Sequence, residues 1–260
     1  MYPVFDVSAW PSHRIEPRGS KPGKEWLDDG SGGLWLFKPA AARNGRTVGD
    51  DWAERIGAQV AMLIGVPAAR VELAHRDGTP GIVSANVAAG EGDAEGDAGS
   101  APALVLGNEM LAGSDPNYPM AQHHAVPDYT VARVLGALDS LSVVADTGAP
   151  PGLSAAEVFA GYLVLDALIA NTDRHHENWG VLRSRVGEGL PVLAPSFDHA
   201  SSLGFQLSDE ERSGRLTTHD AGYSIAGYAR KGRSRHVPGR PLLVDIAAEA
   251  LLRSERSHTE

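Results

Sequence analysis

Hydrophobic and polar positions follow two different periods along this chain. Up to about residue 107 the apolar runs are short, alternate with polar residues and are separated by glycine and proline, the pattern of half-buried strands. Leu34-Trp35-Leu36-Phe37-Lys38-Pro39 follows the turn Asp29-Gly30-Ser31-Gly32-Gly33 and predicts a strand with Lys38 at its end. Val66 to Leu73 and Gly81 to Val87 predict a hairpin about Asp77-Gly78-Thr79-Pro80-Gly81. One helix interrupts the strands: Trp52, Ile56, Val60 and Leu63 recur at helical spacing, Asp50 or Asp51 is the expected cap, and Gly65 with Pro67 ends it. Ala103-Leu104-Val105-Leu106-Gly107 predicts another short buried strand. The first 30 residues, broken by Pro3, Pro11, Pro17, Gly19, Pro22 and Gly23, predict extended segments and turns anchored by Trp10 and Trp26.

Beyond residue 107 the period changes to that of a helix. Thr130 to Leu138 predicts a helix with Val131, Val134, Leu135 and Leu138 apolar. Ser154-Ala155-Ala156-Glu157 is a capping box opening a longer one. In that helix Val158, Phe159, Tyr162, Leu163, Leu165, Leu168 and Ile169 cover most of the circumference, which predicts burial on nearly all sides. Asp166 within it must then be paired or hydrogen-bonded, and is expected to brace the loop that follows. Trp179 to Leu182 and Pro191 to Ala194 predict two strands, and Pro241 to Leu252 a last amphipathic helix. Gly90 to Ser100 has no large apolar residue and predicts a flexible acidic loop. Gln206 to Arg240 is polar and reads as a solvated loop, carrying Arg230, Lys231, Arg233, Arg235 and Arg240 close together. The class expected is α+β, a sheet with one helix followed by a mainly helical part.

Composition narrows the partners. The formal charge of −10 argues against a broad nucleic-acid or anionic-membrane surface, although the Arg and Lys cluster leaves an acidic substrate or tRNA open locally. There is no Cys, so neither disulfides nor thiolate metal sites form. No apolar run approaches a membrane span and the first residues do not read as a signal peptide, which together predict a soluble cytoplasmic protein.

The candidate chemistry lies after the buried helix. In Asn171-Thr172-Asp173-Arg174-His175-His176-Glu177-Asn178 a carboxylate and an amide stand five apart, and Ser196-Phe197-Asp198-His199 brings a second carboxylate after two short strands. Phosphoryl transfer suits this set: one carboxylate accepts the proton of an attacking hydroxyl, while an amide and another carboxylate hold magnesium on the phosphates. Gly19-Ser20-Lys21-Pro22-Gly23-Lys24 is a turn whose backbone could fold over an anion. Lys38 could bridge two phosphates with Glu54 aiming it, or Glu54 could simply complete a capping box with Asp51. A metallohydrolase built from His175, His176, Asp173 and Asp198 competes, while adjacent His123 and His124 point apart and lack a third ligand.

The residues Asn171 to Asn178 resemble the N-x-D-R-H-x-x-N catalytic loop of HipA-like serine/threonine kinases, which is similar to that of phosphatidylinositol 3- and 4-kinases. Phe197-Asp198-His199 resembles their metal-binding segment. Leu36-Phe37-Lys38-Pro39, and Ala53-Glu54-Arg55 opening a helix that ends Leu63-Ile64-Gly65-Val66-Pro67, are similar to the same pattern. The resemblance implies a bilobal kinase-like fold, with an N-lobe over 1–107, a C-lobe over 108–260 and ATP between them. It implies Asp173 as catalytic base, Asn178 and Asp198 as Mg2+ ligands, Lys38 as the phosphate-binding lysine and Glu54 as its partner. Gly19, Ser20, Lys21 and Lys24 would cover the phosphates, and Leu104 to Glu109 would be the adenine-binding hinge. The implied substrate is a hydroxyl, of protein Ser or Thr; a nucleotide-binding pseudokinase and a small-molecule phosphotransferase are the alternatives. Two departures stand out. The chain is too short for the extra N-terminal subdomain of HipA-type toxins, which argues against dependence on a HipB-like antitoxin. Arg14-Ile15-Glu16-Pro17 occupies the place of their phosphorylatable Ser, which argues against self-inactivation there.

Overall fold

A computed structural model of the chain describes residues 2–14, 17, 22–43, 45–88, 102–123, 126–143, 149–185 and 189–256. The predicted phosphate-loop residues Gly19, Ser20 and Lys21, the acidic stretch 90–100, Ile15, Glu16 and His124 lie outside the described residues. In chain order the first half forms β1 (Val4–Asp6), β2 (Glu25–Asp28), β3 (Leu34–Pro39), β4 (Ala42–Arg43), β5 (Arg46–Thr47), α1 (Asp50–Leu63), β6 (Val71–Arg76), β7 (Thr79–Ala85) and β8 (Ala103–Leu106). The second forms α2 (Gly107–Ser114), α3 (Val131–Leu138), β9 (Ser142–Val143), α4 (Ala155–Ile169), β10 (Gly180–Arg183), β11 (Val192–Leu193), α5 (Asp209–Thr217), α6 (Ile225–Ala229) and α7 (Leu243–Arg256).

The strand-period sequence builds a five-stranded sheet in the order β1-β6-β7-β3-β2, with β1 parallel to β6 and the other pairs antiparallel. The hairpin is tighter than its composition suggests. Asp77 and Gly78 both adopt positive φ, 49° and 78°, as a two-residue turn between right-twisted strands requires, so Pro80 falls inside β7. One face of the sheet packs Val7, Leu27, Trp35, Phe37, Ala74 and Val83 with Trp10; Leu27 supplies the anchor in β2, where Trp26 is only half-buried. The other face receives α1 through Ala58, Val71 and Ile82.

Helix α1 departs from expectation in its cap and its face. Gly49 takes the N-cap position that Asp50 or Asp51 was expected to fill. The buried positions are Asp50, Ala53, Glu54, Gly57, Ala58 and Ala61, whereas Leu63 is 84% exposed. Small residues let the helix approach closely: a Cβ on Gly57 would stand 2.8 Å from the Cβ of His199. That contact sets α1 directly against the segment carrying Asp198.

The helix-period sequence packs α3, α4 and α7 into one core, closed by a four-stranded sheet in the order β8-β10-β11-β9. Ser154 and Glu157 cap α4 reciprocally, Ser154 N donating to Glu157 Oε2 at 2.7 Å and Glu157 N to Ser154 Oγ at 3.3 Å. The burial of α4 is incomplete, because Leu168 is 58% exposed. In α7 the buried residues Leu243, Ile246, Ala247, Ala250 and Ser254 follow helical spacing, and the helix continues past Leu252 to Arg256. The two halves meet along Pro67 to Ala69: Ala69 N donates to Ser196 O at 2.8 Å and Ser196 N to Pro67 O at 2.9 Å. Among the described residues, no helix is long and apolar enough to cross a membrane.

Candidate active site

The pleat of β3 sends Trp35 and Phe37 to one side of the sheet and Lys38 to the other, toward α1. There Lys38 Nζ lies 2.9 Å from Glu54 Oε1 and 3.3 Å from Asp198 Oδ1. Lys38 and Glu54 are buried, while the Asp198 side chain is 36% exposed. Burial opposes the charge on Lys38, but Asp198 and then Glu54 outweigh it and hold the ammonium above the usual lysine range. Burial also opposes ionisation of Asp198. Lys38, followed by Lys24, prevails, and the carboxyl sits far below the usual range. Lys24, from the predicted phosphate loop, is thus close enough to act on Asp198. Asp198 also has φ of +62°, a backbone conformation rare for L residues and typical of constrained functional positions.

The loop after α4 is held by one buried guanidinium. Ala170 ends the helix in the left-handed region, φ 54°, and turns the chain so that Asn171 N donates to Asp166 O at 2.8 Å. Arg174 then lies along the Asp166 carboxylate, Nε to Oδ2 and Nη2 to Oδ1 both at 2.8 Å, while Asn171 Nδ2 also donates to Oδ1 at 2.8 Å. The Nη1 of Arg174 donates to Asn178 O at 2.8 Å and to Phe197 O at 3.4 Å. Asp166 therefore braces the loop as expected, and Arg174 extends the brace to the segment bearing Asp198.

On this frame Asn178 Nδ2 donates to Asp173 O at 2.8 Å, so the amide and the carboxylate share one turn. Asp173 Oδ1 accepts from His236 Nε2 at 2.6 Å, and Oδ2 accepts from Ser201 Oγ at 3.1 Å. His236 has 4% of its side chain exposed, and its ring centroid is 5.0 Å from that of His175. Burial raises the Asp173 carboxyl, but the hydrogen bond and charge of His236, then His175 and Ser201, bring it below the ordinary value. His175 is itself held below the usual histidine range by burial and by His236.

His176 points the other way, into the aromatic core: its Nδ1 is 2.8 Å from the Tyr118 hydroxyl, and the Tyr129 ring lies 5.9 Å off. Burial pushes its pKa down to about 4. The two histidines thus diverge, and the metallohydrolase arrangement loses one of its ligands. Glu109 Oε2 accepts from Leu106 N at 2.8 Å and so closes the start of α2, while Gly107 N donates to Trp179 O and Asn108 N to His176 O. The β8–α2 junction is thereby stapled to the end of the Asp173 loop.

The donor set fits a hard cation. Asn178 Oδ1 and Asp198 Oδ2 receive no hydrogen bond among the described residues, and both are oxygens of the kind magnesium prefers. A protein amide and one carboxylate suffice when nucleotide phosphates and water supply the remaining positions. No cluster of three or more His, Asp or Glu suited to a metal occurs among the described residues.

Sequence reasoning missed three of these residues. Arg174 could have been matched to Asp166, since a buried carboxylate before a loop needs a cation within it. Ser201 and His236 carried no signal, the latter reaching Asp173 from 63 positions away in a stretch without apolar periodicity. That stretch holds α5, opened by a Ser208–Glu211 capping box, and α6, so the expected solvated loop is corrected to two helices and a docked strap.

A lysine on a sheet, paired with a glutamate on the neighbouring helix and facing a loop aspartate, its asparagine and a second aspartate, defines a protein-kinase-like α+β fold. The crystal structure of the Helicobacter pylori proinflammatory kinase CtkA is similar to this chain with a TM-score of 0.68 and 18% sequence identity, covering 98% of this chain and 83% of that one. No protein-family profile matches the chain, and no curated protein sequence does.

Proposed function

We propose that this chain is an ATP- and magnesium-dependent kinase of the HipA-like type, acting on a hydroxyl of a protein Ser or Thr. The observation that carries the reading is the convergence of Lys38, Glu54 and Asp198: 160 residues separate Lys38 from Asp198, yet their charged atoms stand 3.3 Å apart. ATP with magnesium supplies the phosphoryl group and screens its charge. Asp173 takes the proton of the attacking hydroxyl as the new oxygen–phosphorus bond forms. Lys38 balances the negative charge that passes to the leaving ADP, with Glu54 fixing its direction. Asn178 and Asp198 would hold the cation, and Lys24, whose charge acts on Asp198, would add positive charge near the phosphates. Residues 1–107 and 108–260 act as the two lobes, with β8 and the start of α2 as the adenine-side hinge.

The test is transfer of labelled phosphate from ATP to Ser- and Thr-containing proteins and peptides. Asp173→Asn keeps the shape of the side chain and removes its basicity, so turnover is expected to fall by about 100-fold to 10,000-fold while nucleotide binding persists. Equal turnover in that variant would remove Asp173 from the mechanism.

A further inference from the structure

The strap from Arg230 to Arg240 is fixed in place. Arg235 N donates to Thr172 O at 3.0 Å, Ser234 N to Pro241 O at 3.1 Å and Arg240 N to Val237 O at 3.0 Å, and an isolated bridge joins Arg233 to Leu242. Buried Ser234 and His236 point inward, the latter onto Asp173, while Arg230, Lys231, Arg233, Arg235 and Arg240 are all exposed. Among the described residues none of these five cations forms an ion pair with a carboxylate. Lys231 and Arg233 reach only the backbone carbonyls of Gly222 and Arg240. In a protein of net charge −10 such unpaired cations, anchored one residue from the contact to Asp173, form a local positive field where a phosphoacceptor must arrive.

We propose that this strap recruits an acidic segment of the phosphoacceptor protein, with Arg235 and Arg233 meeting carboxylates that flank the target hydroxyl. The inference rests on the reading of Asp173 as the base. A peptide is favoured over a nucleic acid because the positive surface is short, five cations between Arg230 and Arg240 in a chain of net charge −10, which matches a few carboxylates rather than a phosphate at every step.

The test is fluorescence anisotropy with a labelled peptide holding one serine among glutamates, a matched peptide with glutamines, and a short single-stranded RNA. The wild-type protein is compared with Arg235→Gln and Arg235→Glu, whose folding is checked by melting. The acidic peptide is expected to bind wild type about tenfold more tightly than the glutamine peptide at low salt, by summed contributions of exposed ion pairs. The preference should shrink as salt rises, fall about threefold in Arg235→Gln and vanish in Arg235→Glu. Equal binding of both peptides, or a preference unchanged in both variants, would overturn the proposal. So would tighter, Arg235-dependent binding of the RNA. Because the readout is binding, it stands apart from catalysis: acidic preference without phosphate transfer would count against the kinase reading alone, and transfer without acidic preference against this inference alone.

Discussion

Replacing Asp166 by Ala is the sharpest perturbation of the frame beneath the site. The substitution removes three hydrogen bonds, two from Arg174 and one from Asn171, each at 2.8 Å. It also strands a guanidinium whose side chain is 5% exposed. Burial works against the Arg174 charge, and Asp166 is what overcomes it, holding the group above its ordinary pKa. Breaking one partner of such a buried pair costs about 3–5 kcal/mol, far more than the pair contributes over an apolar replacement. For a chain of this size that corresponds to a fall in melting temperature of about 6–20 °C. Urea unfolding followed by fluorescence of the buried Trp179 measures it, with Asp166→Asn as the milder companion that keeps one acceptor oxygen. A loss below about 1 kcal/mol, the range of an exposed pair, would refute the argument, since it would mean that Arg174 rehydrates without cost.

Three further outcomes follow from the geometry. Lys38→Met leaves Asp198 without its nearest cation, so the carboxyl rises toward the ordinary range and Mg·ATP affinity by calorimetry falls about tenfold or more, the loss of a charge-assisted contact; unchanged affinity would dismiss Lys38 as a phosphate ligand. His236→Ala removes the main group lowering Asp173, so the acidic limb of the pH–rate profile moves to higher pH and His236→Gln, which can still donate, moves it back; a stationary limb would make His236 purely structural. His176 is held neutral by burial, with a pKa of about 4 against an ordinary 6.5, so between those values the unfolded chain binds a proton that the folded chain does not. Stability therefore falls as pH falls through that window, by about 1.4 kcal/mol per pH unit at most, and His176→Gln should flatten the slope of melting temperature against pH; equal slopes would contradict the burial argument.

The readability of this chain tracks how local each signal is. The capped and largely apolar α4 is visible because Ser154, Glu157 and the run from Val158 to Ile169, broken only by Gly161 and Asp166, lie together in the sequence. The strand of Lys38 was visible because period two survives in Leu34 to Pro39. The sequence marks helix α1 but not its buried face, because Ala53, Gly57, Ala58 and Ala61 pack by closeness rather than by hydrophobic bulk. Helices α2 and α5 were missed because neither has a sustained apolar stripe; α5 buries no residue at all and depends on its cap. Within the site, Asp173, Asn178 and Asp198 stood out from spacing after a buried helix. The competing roles of Glu54, pairing with Lys38 or capping its own helix, could be weighed only once the distance of 2.9 Å was known. His236 depends entirely on tertiary docking, which no periodicity encodes.

The central claim is a magnesium-dependent nucleotide site at Lys38, Asn178 and Asp198, and the most direct measurement is the melting temperature of the wild type and Asp198→Ala with and without ATP and magnesium. Nucleotide at about 100 times its dissociation constant adds about 2.7 kcal/mol, a rise of about 5–10 °C for a protein of this size. The account predicts that rise in the wild type, its dependence on magnesium and its loss in Asp198→Ala. An absence of any nucleotide-induced rise, or an equal rise in the variant, would contradict it.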